Sequence, residues 1–117
     1  LCPEADTTPI HRAALAGEGA RLTALTNVFT GRPARGIVNR LIREIGPISA
    51  LAPAFPTAGA AIGPLRARAE SLGSGEFTPL WSGQNASGCR AEPAADILAA
   101  LCKGIAPAPG PGPGAAA

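Results

Sequence analysis

Two short strings of residues are the strongest candidates for chemistry in this 117-residue sequence. The first string, residues 29–36, reads Phe-Thr-Gly-Arg-Pro-Ala-Arg-Gly and places Arg32 and Arg35 just before an apolar helical pattern. Guanidinium groups beside free backbone N–H groups at the start of a helix can bind an anion or a phosphate. The alternative is a structural turn whose arginines pair with carboxylates outside this chain, and short motifs more often have such a structural role.

The second string, residues 80–84, reads Leu-Trp-Ser-Gly-Gln and contains Trp81, the single tryptophan of the sequence. Gly83 would let a flat ligand approach the backbone closely, and Gln84 can both donate and accept hydrogen bonds at a ring edge. An indole in a loop can equally serve to anchor that loop on a hydrophobic surface. Both interpretations place the side chain of Trp81 against another surface.

No self-contained catalytic apparatus is visible in the sequence. His11 is the only histidine, so a general base in this chain would have to be His11, yet no serine or cysteine nucleophile lies at a suggestive spacing. Cys2, Cys89 and Cys102 form an odd set without a CxxC pair, which argues against a disulfide framework and a zinc site. We therefore predict no catalytic residue and no metal ligand, and a reducing cytoplasmic environment.

The charge and hydropathy patterns favour neither nucleic acid nor a membrane as partner. The formal net charge is +2 with 15% charged residues, and no apolar run reaches the ~18 residues of a membrane span. The Gly-Arg-Pro string is similar to arms that enter the minor groove of DNA, but the basic and aromatic neighbours of a nucleic-acid surface are missing. We expect no nucleic acid and no membrane among the partners.

Periodicity and breaker residues predict a mostly helical chain with one short strand. Thr8 and Pro9 begin a helix that ends before Gly17, and Pro93 opens a last helix. The other predicted elements are a strand over 22–29, a helix over 36–45 and a helix over 57–72 with Thr57 as its N-cap and Pro64 inside it or delaying its start. In the helix over 36–45, Ile37, Val38, Leu41, Ile42 and Ile45 fall on one face.

The chain is predicted to need a partner surface. Nearly half of its 46% hydrophobic content is alanine, which buries little area, and a single strand lacks a pairing partner. Residues 1–105 form the predicted structured segment, and the Pro/Gly/Ala-rich residues 106–117 are predicted to be disordered. Because the sequence contains no methionine, we expect further chain upstream of Leu1.

Four strings, taken in order, carry a resemblance to a known family. They are Leu-Cys-Pro-Glu-Ala at 1–5, Pro-Ile-His-Arg-Ala-Ala-Leu at 9–15, the arginine string extended to 29–40, and Pro-Leu-Trp-Ser-Gly-Gln at 79–84. Over about residues 1–102 the chain resembles the C-terminal third of nitronate monooxygenases, formerly called 2-nitropropane dioxygenases. These strings are fairly specific together and weak singly.

The resemblance implies an α/β fold, in which this chain is the C-terminal fragment of a TIM-barrel FMN enzyme with an added helical region. Such enzymes oxidise alkyl nitronates with dioxygen to carbonyl compounds and nitrite, and their catalytic histidine and phosphate loops lie upstream of the matched part. His11 does not match that histidine. The resemblance places Trp81, Gly83 and Gln84 near the flavin or substrate, and makes the missing N-terminal barrel the partner of a chain that is inactive alone.

Two other interpretations stay open at the level of sequence. Segments of FMN-dependent NADH:quinone reductases or enoyl-acyl-carrier-protein reductases share the barrel and differ mainly upstream. A non-catalytic interaction module would instead dock the face of Ile37, Leu41 and Ile45 on another protein, with Arg32 and Arg35 meeting an anion.

Overall fold

The computed structural model describes residues 1–105, and the predicted disordered tail lies outside the described residues. Short strands and helices are mixed along this part of the chain. In chain order the elements are α1 (Pro9–Ala16), a 3-10 turn (Glu18–Arg21), β1 (Thr23–Thr26), β2 (Ala34–Ile37), α2 (Arg40–Ile45), α3 (Ala58–Ser71) and α4 (Ala94–Cys102). No helix within residues 1–105 has the length and apolar character needed to cross a membrane.

Helix α1 begins and ends as predicted. The Thr8 hydroxyl oxygen accepts the backbone N–H of His11 at 3.3 Å, and Pro9 occupies the first helical position, where its missing N–H costs nothing. The helix ends at Gly17, whose N–H donates to the carbonyl of Ala13 at 3.0 Å. Local capping chemistry is therefore sufficient to define this element.

The prediction of a strand within residues 22–29 is confirmed by β1, whereas the prediction that it is the only strand and the prediction of a helix start at Gly36 are wrong. The strand ends at Thr26, and residues 34–37 form β2, which pairs antiparallel with β1 so that Thr23 lies opposite Ile37. The apolar pair Ile37–Val38 fits either a helix or a strand. In the hairpin its backbone N–H groups are hydrogen-bonded, whereas at the start of a helix they would have no partner within the helix. Helix α2 starts only at Arg40, after the N-cap Asn39.

The turn between the strands depends on Gly31. Its φ of +85° lies in the left-handed region that favours glycine. A Cβ at this position would also lie 2.4 Å from the backbone nitrogen of Phe55, because residues 53–55 pack directly on the turn. Gly31 therefore fixes both the hairpin reversal and the position of the crossing segment that leads to α3.

The predicted helix over 57–72 is α3, with two local differences. Thr57 lies at the N-cap, but its hydroxyl donates to the carbonyl of Ala54 at 2.7 Å instead of capping the helix. Pro64 lies inside the helix and does not delay its start. The predicted last helix is α4, which follows Pro93.

Two apolar clusters hold the described part of the chain together, one on each side of the hairpin. The α1 cluster consists of Ala20, Ile37, Leu80 and Ala86, with Ile10, Ala14 and Leu15 packed against it. The α2 cluster consists of Val28, Phe29, Leu41 and Ile42, with Ala24, Val38, Ile62 and Phe77 packed against it. Neighbouring side chains of extended chain point to opposite faces, so Ile37 at the end of β2 packs in the α1 cluster and the next residue, Val38, packs against the α2 cluster.

This division breaks up the predicted docking face. Ile37 is buried in the α1 cluster and Leu41 in the α2 cluster, while Ile45 keeps 45% of its surface exposed. The prediction that these residues share one helical face is wrong, because Ile37 belongs to a strand. Large apolar side chains are nevertheless exposed elsewhere, including Leu98 and Leu101 on α4 at 61% and 69%.

Replacing Gly31 with alanine is expected to destabilise the chain. The left-handed backbone and the close approach of residues 53–55 should together cost at least about 1–3 kcal/mol of unfolding free energy. Gly19→Ala is the matched control, because a Cβ there meets no atom within 4 Å. Urea unfolding of both variants measures the difference, and equal stability of the two would show that the turn does not need glycine.

Candidate functional site

The two strings singled out in the sequence lie side by side in the structure. The N–H of Ile37 donates to the carbonyl of Leu80 at 2.8 Å, and the N–H of Ser82 donates to the carbonyl of Arg35 at 3.2 Å. Between these bonds, Gly36 and Trp81 form an antiparallel bridge. Residues 80–82 thus act as a short third strand along β2, where the sequence predicted only a loop.

Gly36 makes room for the indole of Trp81. A Cβ at position 36 would lie 3.0 Å from the carbonyl oxygen of Leu80 and 3.3 Å from Cε3 of Trp81. The indole also meets the ring of Phe29 edge to face, with centroids 5.7 Å apart and planes at 85°. Phe29 is buried, but Trp81 remains 42% exposed, so the indole is held from within the chain and presents its remaining surface outward.

Gly83 and Gln84 continue outward from this strand, and both are exposed. A Cβ at Gly83 would meet no atom within 4 Å, so nothing in the described chain requires glycine there. A surface cavity of about 440 Å³ is lined by Leu1, by the segment 85–92 and by one side of α4, and does not include Trp81, Gly83 or Gln84. Trp81, Gly83 and Gln84 therefore lie on the exposed surface outside this cavity.

The two arginines of the first string have different partners. Arg32 lies over the ring of Phe55, 4.2 Å from its centroid, in a cation–π contact. Arg35 reaches back to β1, where its Nη1 donates to the Thr23 hydroxyl at 3.2 Å and approaches the Thr23 carbonyl at 3.4 Å. Neither arginine lies at the start of α2, which begins at Arg40, so the predicted combination of these guanidinium groups with the N–H groups of a helix start is not formed.

The cap of α2 is the feature that the sequence analysis missed. Asn39 and Thr78 are polar yet only 5% and 2% exposed, and hydrogen bonds join them to each other and to neighbouring residues. An asparagine just before Arg40-Leu41-Ile42 matches the N-cap preference and could have marked the true helix start. On the exposed side of α2, the hydrogen-bonded carboxylate of Glu44 raises the pKa of the Arg40 guanidinium above its ordinary value.

The described residues contain no evident acid–base or metal centre. The ring of His11 is bound locally, with Nδ1 2.7 Å from the hydroxyl of Thr8, at the exposed start of α1. The three cysteines are free, and within residues 1–105 no group of His, Cys, Asp and Glu side chains is arranged to hold a metal ion.

Comparison with protein families and characterised sequences gives a consistent result. The family model described as nitronate monooxygenase matches residues 1–104. A nitronate monooxygenase of Pseudomonas aeruginosa is 37% identical over 102 residues, which cover 86% of this chain and 29% of that protein. A probable nitronate monooxygenase of Staphylococcus saprophyticus is 33% identical over 82 residues, covering 70% of this chain and 23% of that protein.

A solved structure shares the same backbone arrangement. A nitroalkane oxidase from Streptomyces ansochromogenes superposes with a TM-score of 0.72 at 34% sequence identity. The match covers 86% of this chain and 28% of the oxidase chain. This chain therefore spans less than a third of the length of these relatives.

Substituting Gly36 with alanine should displace the indole. The added methyl group meets a backbone carbonyl and the indole itself, so we expect a red-shifted Trp81 emission and a loss of about 1–3 kcal/mol of unfolding free energy. Trp81 is the single tryptophan, so the emission spectrum reports this position alone. Gly83→Ala, which adds a methyl group in open space, should leave the spectrum unchanged; an unchanged spectrum in both variants would contradict the packing of indole on Gly36.

Proposed function

The chain belongs to the nitronate monooxygenase family, and from this we propose that it forms the C-terminal part of an FMN-dependent enzyme that oxidises alkyl nitronates with dioxygen. The products would be a carbonyl compound and nitrite. The observation that carries the proposal is the family match over residues 1–104, supported by 37% identity to the Pseudomonas nitronate monooxygenase. Since its relatives are oxidoreductases, the class of reaction follows from the family.

The proposal assigns the flavin-binding TIM barrel and the catalytic histidine to the part of the relatives that this chain does not span. That part is about seven tenths of their length, because the match covers 29% of the Pseudomonas protein. The only histidine of the sequence, His11, is hydrogen-bonded to Thr8 at the start of α1, and the proposal gives it no catalytic role. The proposed partner of this chain is therefore the barrel of the same enzyme.

The residues present at the surface of Trp81 have the chemistry that a flavin site uses. A half-exposed indole offers a flat apolar wall, Gly83 leaves the backbone open to close approach, and Gln84 can donate to or accept from a ring edge. FMN, when bound, would supply the redox chemistry. We propose that these three residues lie at the rim of the pocket, where they would bind and orient the flavin or the substrate and exclude water.

A chimaeric enzyme tests this function. Replacing the matching segment of the Pseudomonas nitronate monooxygenase with residues 1–104 of this chain should give a protein that copurifies with FMN and releases nitrite from an alkyl nitronate. The isolated 117-residue chain, as a control, should produce no nitrite with added FMN. A folded chimaera without flavin, or one that consumes NADH with a quinone but not nitronate, would overturn the proposal.

Within an active chimaera, Trp81→Leu and Gln84→Ala should lower kcat/KM for the nitronate by on the order of 10- to 100-fold, as expected when a group that positions the reactants is lost. Phe55→Leu is the matched control, since Phe55 is a comparably exposed aromatic at 50% and packs against Arg32 instead. Steady-state nitrite release measures all three variants. Equal kcat/KM values of the Trp81→Leu and Phe55→Leu variants would show that Trp81 is not part of the site.

A further inference from the structure

We infer that Asn39 and Thr78 are positioning residues that hold Trp81 at its place on the sheet. They act through the 74–80 loop, defined as residues 74–80 between α3 and the strand that carries the indole. The catalytic consequence of this inference rests on the proposed function, whereas the positioning itself concerns this chain alone.

The side-chain amide of Asn39 forms hydrogen bonds to two parts of the chain, the start of α2 and the 74–80 loop. Its Oδ1 accepts the N–H of Ile42 at 3.4 Å and caps α2. Its Nδ2 donates to the carbonyl of Gly75 at 3.0 Å and to that of Thr78 at 2.9 Å. Because Asn39 is 5% exposed, water cannot readily replace these bonds, and losing the donors would leave loop carbonyls unsatisfied.

Two further contacts fix the 74–80 loop from other directions. The hydroxyl of Thr78 donates to the carboxylate of Glu70 on α3 at 2.9 Å. Glu76 accepts from the start of α2 twice: its carbonyl takes the N–H of Leu41 at 3.2 Å, and its carboxylate takes the N–H of Arg40. The loop is therefore tied to both α2 and α3.

These contacts reach Trp81 because little chain separates them. Thr78 is three residues before Trp81, and Leu80 already pairs with Ile37 at 2.8 Å. The loop and the start of α2 consequently set the register in which Trp81 faces Gly36. A loop released from Asn39 can shift along β2, and such a shift moves the indole relative to whatever surface it meets.

The experiment removes the loop contacts while keeping the helix cap. Asn39→Ser in the 117-residue chain keeps an N-cap oxygen for Ile42 but is too short to reach both loop carbonyls. Asn27→Ser is the matched control, because Asn27 similarly binds backbone, exchanging hydrogen bonds of 2.9 Å with Ser49 on another loop. Trp81 emission and acrylamide quenching are compared at a temperature where each variant remains folded by circular dichroism.

Positioning predicts a red shift and faster quenching for Asn39→Ser but not for Asn27→Ser. Equal spectra in both variants, or equal shifts in both, would overturn the inference, because a general loss of stability would then explain the result. The inference would also be overturned if the Trp81 emission of the unsubstituted chain were the same with and without urea, because the indole would then not be held in the folded chain. Thr78→Val, compared with Thr78→Ser, which keeps the hydroxyl, provides the second test should Asn39→Ser fail to fold, and only the valine variant should shift the emission.

The chimaeric enzyme separates this inference from the proposed function. There, Asn39→Ser should lower kcat by on the order of 10- to 100-fold and change KM less, since it misplaces a group without removing it. If the parent chimaera binds no FMN while the fluorescence differences persist, the proposed function fails and the positioning stands. If the chimaera is active and Asn39→Ser changes neither kcat nor the fluorescence, the positioning fails and the function stands.

Discussion

The side-chain amide of Asn39 lies buried where the end of the hairpin, the start of α2 and the 74–80 loop meet, and it bonds to two of these segments at once. A buried amide is favourable only when its donors and acceptor are used, so the three segments have to come together in one arrangement. The strand that carries Trp81 begins just beyond this junction. We infer that the geometry of the candidate site depends on this satisfied polar group as well as on the packing of Trp81 against Gly36 and Phe29.

The few large apolar side chains that are buried in this chain fall into two clusters around the hairpin. Ile37 packs toward α1 and its neighbour Val38 toward α2, and in the adjoining strand Leu80 joins the α1 cluster while Trp81 meets Phe29 of the α2 cluster. Neither cluster is large, and several leucines and isoleucines stay exposed. This division gives a physical reason for expecting the chain to pack on a larger body, as the proposed barrel would provide.

Several side chains that could act in a site are engaged elsewhere within the described residues. His11 is bound to Thr8 at the start of α1, and the arginines of the first string are engaged with Phe55 and Thr23. What remains at the surface is a held indole followed by an open glycine and an exposed amide. Under the proposed function, this surface would complete the wall of a pocket whose catalytic groups lie in another part of the enzyme.

The sequence by itself determined the family, the start and end of α1, and the later helices, because these depend on local motifs and capping residues. It also marked the arginine string at 29–36 and the Trp-Ser-Gly-Gln string as unusual. Only the tertiary structure decided that residues 34–37 are a strand, that residues 80–82 pair with them, and that Asn39 and Thr78 hold this junction. The physical reason is that Ile37-Val38 fits a helix or a strand equally well locally, and the choice is made by hydrogen bonds to residues about 15 and 40 positions away in the chain.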